Sequence, residues 1–192
     1  MMQIQRCVTQ AAAGVLVLLS CTSAPVRAQN GHARPRAHHQ AQASALVHVV
    51  RDATARFHDV AVAEQEGYFL QFGCVSGPDF GAMGMHYVNM PLVMDGALDA
   101  TRPEIVIYEP QPDGSLHLIG ADYLVLAEAW DAQHDNPPEL MGQLFHRFEA
   151  PNRFGLPAFY TLHVWAWKPS PTGTFVNWHA NVSCDAFSGQ TP

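Results

Sequence analysis

The chain has 192 residues, 48% of them hydrophobic, with 10 Lys and Arg against 17 Asp and Glu, for a formal charge of −7. That acidic balance, without clusters of Lys or Arg, excludes a nucleic-acid backbone as partner and argues against adhesion to anionic lipid.

Residues 1–28 read as a secretory signal peptide. Arg6 supplies the charged start, Ala11 to Leu19 the short apolar core, and Val26-Arg27-Ala28 the small-residue cleavage site. The apolar run is too short for a permanent membrane span, so the mature chain is expected to be periplasmic or secreted, with no transmembrane segment. Leu18-Leu19-Ser20-Cys21 also resembles a lipobox, which gives the alternative of a lipoprotein anchored through Cys21. Cleavage after Ala28 removes Arg6 and Arg27 and leaves eight basic residues against 17 acidic ones, a charge of −9. It also removes Cys7 and Cys21, leaving Cys74 and Cys184. In an oxidising compartment that pair is most simply a disulfide, worth about 4.7 kcal/mol by loop entropy; two buried free thiols are the other reading.

Residues 29–43, with Arg34, Arg36, His32, His38 and His39, have no apolar periodicity and read as a flexible polar tail. Its histidines give weak metal binding as the sharper reading of the same stretch. The remainder, 44–192, is expected to be one domain. Ser44 is a helix N-cap; Leu46, Val50, Ala53, Phe57 and Val60 recur at helical steps, and Gly67 ends the run. Strands follow at 68–72, 83–89, 104–109 and 116–126, with Asp113-Gly114 turning the last two into a hairpin. A short helix is expected from Asn136, then strands at 159–167 and 175–178. The fold class is α+β: one long N-terminal helix packed on a mainly antiparallel sheet or partial barrel.

No HExxH, GxSxG, Walker or Rossmann motif occurs, so the chemistry must be sought in isolated polar residues of apolar strands. Residues 159–167 read FYTLHVWAW, which places Thr161, His163, Trp165 and Trp167 on one face and Tyr160, Leu162 and Val164 on the other. His86 lies in a similar strand, within GMGMHYVN. Asp122 lies in a strand apolar on both faces, where an ionised carboxylate needs a partner. With Asp113 and Gly114 at the centre of the turn, Ile105 stands opposite Asp122, and Glu109 falls on the same face about 13 Å away at roughly 3.3 Å per residue. His86, His163 and either Asp122 or Glu109 form a two-His, one-carboxylate set, with His146 as a fourth candidate. Such a set suits a divalent transition metal (zinc, copper or iron), and a metal-dependent enzyme acting on a small molecule by Lewis-acid or redox chemistry. Core histidines bonded to backbone are the plainer reading of the same residues.

The alternative from another class is a non-catalytic envelope protein binding a ligand or partner. Its aromatic cleft would be drawn from Tyr160, Trp165 and Trp167, with Trp130 and Trp178, although aromatics at strand spacing are also ordinary core. Oligomeric state is not legible.

The segments GMGMHYVN, NRFGLPAFYTLHVWAW and FVNWHANVSC resemble a group of small exported bacterial proteins of unknown function, over residues 53–184. The resemblance implies a shared secreted domain carrying His86, His163 and Cys184 in recurring segments. It implies nothing about substrate. Where this chain has Trp178-His179-Ala180, those proteins tend to read WNP, so His179 is a poor ligand candidate.

Overall fold

The computed structural model describes residues 33–189. The signal sequence, the lipobox cysteine Cys21 and residues 29–32 of the tail lie outside them.

The elements run in chain order from α1 (Ala33–Thr54), a 3-10 turn (Ala55–His58) and α2 (Val60–Gln65) to β1 (Phe69–Gly77), β2 (Gly81–Val88) and α3 (Met90–Asp95). Next come β3 (Ile105–Pro110), β4 (Leu116–Leu126) and α4 (Ala127–Asp131). The last are β5 (Glu139–Leu140), β6 (Gln143–Leu144), β7 (His146–Phe148) and β8 (Phe159–Val164). Six strands make one antiparallel half-barrel sheet in the order β1-β2-β3-β4-β8-β7, while β5 and β6 form a separate hairpin. The α+β class stands, with the one expected N-terminal helix divided among α1, the 3-10 turn and α2.

The single long helix does not form, although its apolar face does. Thr54 turns its hydroxyl back to the Val50 carbonyl at 2.6 Å, a bond that competes with the helical ladder, and the chain tightens into the 3-10 turn. Asp59 then restarts the helix by accepting the Ala61 N–H. Upstream, α1 already begins at Ala33, inside the expected tail, in a stretch rich in Ala, Gln and Arg, which favour helix. Leu46 and Val50 pack on Ala121, Tyr123, Leu162 and Val164, and Phe57 and Ala63 on Met85, Tyr87, Val106 and Tyr108. α1, the 3-10 turn and α2 therefore cover one face of the sheet, while Val93 of α3 packs on the other.

Two other expectations fail for local reasons. No helix starts at Asn136, because Pro137 and Pro138 hold the residues before them extended; the short helix is α4, upstream. The strand expected at 175–178 is irregular, and only His179 bridges to Ala82. Its Trp165-facing carbonyl is already used: Val176 accepts the Trp165 indole N–H at 2.7 Å.

Cys74 and Cys184 are joined by a disulfide with Cα atoms 5.7 Å apart, tying β1 to the C-terminal segment. Among the described residues no helix is long and apolar enough to cross a membrane.

Candidate metal centre

His86, Asp122 and His163 come from β2, β4 and β8, and all three side chains lie on the sheet face opposite α1 and α2. Register sets this up. Asp122 pairs with His163 on one side and with Ile105 on the other, while His86 pairs with Ile107 one strand further on. Along a flat sheet β2 and β8 would be roughly 14 Å apart, three strand spacings. Curvature of the half-barrel and the reach of the two imidazoles close that gap to 3.4 Å between the Nε2 atoms. All three residues are buried, at 7%, 2% and 2% exposure, and one ligand atom from each lies within 4.8 Å of the others. Such a group could hold a metal ion.

The protonation pattern favours a cation there. Burial, reinforced by the neighbouring His163, lowers the His86 pKa to about 4, and burial lowers that of His163 to about 3, so both rings are neutral near pH 7. His86 Nδ1–H donates to the Gly84 carbonyl at 3.2 Å, which leaves a lone pair on Nε2 aimed at His163. His163 Nδ1 has no hydrogen-bond partner; its nearest carboxylate oxygen is Asp122 Oδ1 at 3.5 Å. With the His163 proton on Nδ1, two Nε2 lone pairs confront each other. With the proton on Nε2, the Nδ1 lone pair faces a carboxylate. Either tautomer leaves a buried acceptor without a donor. A tetrahedral metal with bonds of about 2.0–2.1 Å to two imidazoles would hold their nitrogens about 3.4 Å apart, the spacing observed.

Asp122 is ionisable but strained toward neutrality. Burial raises its pKa to about 6, against the opposing pull of His86, the Thr161 hydroxyl and the Leu162 N–H. Thr161 donates to Asp122 Oδ1 and orients it. The Asn177 amide lies near enough to the His163 ring to favour its protonated form, and its own Oδ1 is buried without a donor.

Glu109 is placed elsewhere. A bulge between Ile107 and Tyr108 shifts it opposite His117, and Lys168 binds both its oxygens at 2.7 and 2.8 Å. His146 pairs with Thr161 on the edge strand β7, next to the group but exposed. The aromatic residues expected to form a cleft are dispersed, and none of the described cavities is lined by two of them. β8 ends at Val164, where the Ala166 N–H folds back to the Val164 carbonyl, so Trp167 leaves the His163 face and donates to Thr54 on the helix side. Tyr160 also faces the helices and donates to Asp131, whereas Trp165 stays beside the His163 ring, 5.5 Å between centroids. Trp130 stacks on His134, and Trp178 lies against Phe80. The aromatic wall of the site is instead Phe72, Phe148, Phe154 and Phe159. His179, fully buried, is occupied by the Asn181 N–H and the Lys168 carbonyl.

Thr161, Asn177 and Phe72 were not singled out by pattern. Only Thr161 had a signal, its even spacing from His163. Compared with known proteins, the chain matches no family model, no curated protein and no solved structure.

Proposed function

We propose that this chain is an exported, disulfide-bonded domain that binds a divalent transition metal, zinc, copper or iron, through His86, His163 and Asp122. The observation that carries the reading is the pair of facing Nε2 atoms, 3.4 Å apart, in a buried site where neither neutral tautomer of His163 satisfies both rings beside an ionised Asp122. The carboxylate would offset part of the ion's charge, and Gly84 and Thr161 would hold first ligands in place from behind. A bound metal would supply Lewis-acid or redox chemistry toward a small molecule. The cavity above the ligands, about 30 Å³, has room for a water-sized group. The Cys74–Cys184 disulfide is compatible with export.

Metal analysis of protein purified from metal-replete culture tests this directly. One equivalent of metal is expected in the wild type, with at least tenfold loss in both His86→Ala and His163→Ala. Wild type that stays metal-free after incubation with zinc, copper and iron overturns the assignment.

A further inference from the structure

A second cavity, of about 200 Å³, adjoins the cavity over the ligand group. The two share Phe72, Ile105, Leu124 and Leu156. Every side chain lining the second is apolar, and it reaches the surface beside Met90 and Met94, one helical turn apart on α3 and 47% and 66% exposed. A dry cavity of about 150 Å³ lined by Leu, Ile and Phe is enough to admit benzene. A charged molecule placed here would lose hydration and gain no counter-charge until it reached the ligand group.

The wall between the two spaces is built with unusual backbone. Phe72 has φ of +63° and Gly73 +64°, and together they are the insertion that breaks the β1–β2 register between Gln71 and Cys74. A bulky residue in the left-handed region costs energy, and here it aims an aromatic ring across both cavities, against Phe154 at 5.6 Å.

We infer that the second cavity binds the apolar body of an uncharged organic molecule of single-ring size, whose one polar end reaches the His86–Asp122–His163 group past Phe72. Only the role of the polar end rests on the metal reading. Binding of toluene, p-cresol, benzoate and benzylamine to the mature, oxidised protein, followed by calorimetry and ligand-observed NMR, tests the assignment. Toluene and p-cresol are expected to bind, with benzoate and benzylamine at least tenfold weaker. Leu126→Asp should weaken toluene at least tenfold, and the exposed Met94→Lys, which does not disturb the core, at least threefold. His163→Ala should remove any preference for p-cresol over toluene. Benzoate or benzylamine binding as tightly as toluene, or toluene binding unchanged in both cavity variants, overturns the inference. Wild type that takes up no metal after incubation with zinc, copper and iron yet binds toluene would overturn the metal assignment and leave the apolar cavity assigned.

Discussion

Glu104 is buried, 1% exposed, and accepts the Leu124 N–H at 3.1 Å. Burial raises its pKa from an ordinary 4.5 to about 8, and Asp122 and Asp95 push in the same direction. Its contribution to stability is complete below the unfolded pKa, where both states are protonated, and is lost as pH rises through about 8, because only the unfolded chain ionises in between. The site residues act lower. The depressed histidines cost stability as pH falls below about 6.5, and Asp122, raised to about 6, loses its contribution between about 4 and 6. Between pH 6.5 and 8, Glu104 therefore dominates among these groups. Metal-free protein is expected to lose stability there by up to ~1.4 kcal/mol per pH unit. Glu104→Gln keeps an acceptor for Leu124 and should flatten that slope, melting higher than wild type at pH 8. Equal slopes in urea titrations of the two proteins at pH 6.5 and 8 would show that Glu104 is not the group responsible.

At the scale of the element, the bulge in β2 does for His86 what simple strand alternation cannot. Val75 pairs with Gly84 and Ser76 with Ala82, so Met83 is an inserted residue, and Gly84 takes φ of +86°. A Cβ on Gly84 would lie 2.6 Å from the Tyr108 carbonyl oxygen. The same Gly84 presents the carbonyl that fixes the His86 ring. Gly84→Ala should therefore cost about 1–2 kcal/mol from the left-handed backbone alone, with the clash adding to it, and should also weaken metal binding by disturbing His86. Denaturant unfolding and metal titration measure the two effects; a variant within about 0.5 kcal/mol of wild type would refute the strain argument. The strands themselves were legible because β2, β3, β4 and β8 carry period-two or continuous apolar patterns bounded by turns. The break between α1 and α2 was not, since Leu46, Val50, Phe57 and Ala63 keep one apolar face across it. Only the local bonds of Thr54 and Asp59 reveal it.

The whole molecule decides what no strand pattern contains. The Ile105–Asp122 register was readable from the Asp113-Gly114 turn, and the parity of β8 set His163 and Thr161 together, but the meeting of His86 and His163 depends on sheet curvature summed over four strands. The disulfide works at this same scale. It joins β1 to the segment that supplies Asn177, His179 and Val182, with 110 residues between its cysteines. In the unfolded chain that loop closure is worth up to about 4.7 kcal/mol, and measured losses for native disulfides run about 2–5 kcal/mol. The three proposed ligands sit on sheet strands paired by backbone hydrogen bonds, none of them in the tied segment. Reduction, or Cys74→Ala with Cys184→Ala, is therefore expected to lower the unfolding midpoint sharply while metal stoichiometry at 25 °C is kept, as long as the protein remains folded. Thermal melts and metal analysis on the same oxidised and reduced samples separate the two quantities. Loss of metal from a reduced protein that is still folded would mean that the C-terminal segment, through Asn177 beside His163, holds the site together rather than merely closing over it.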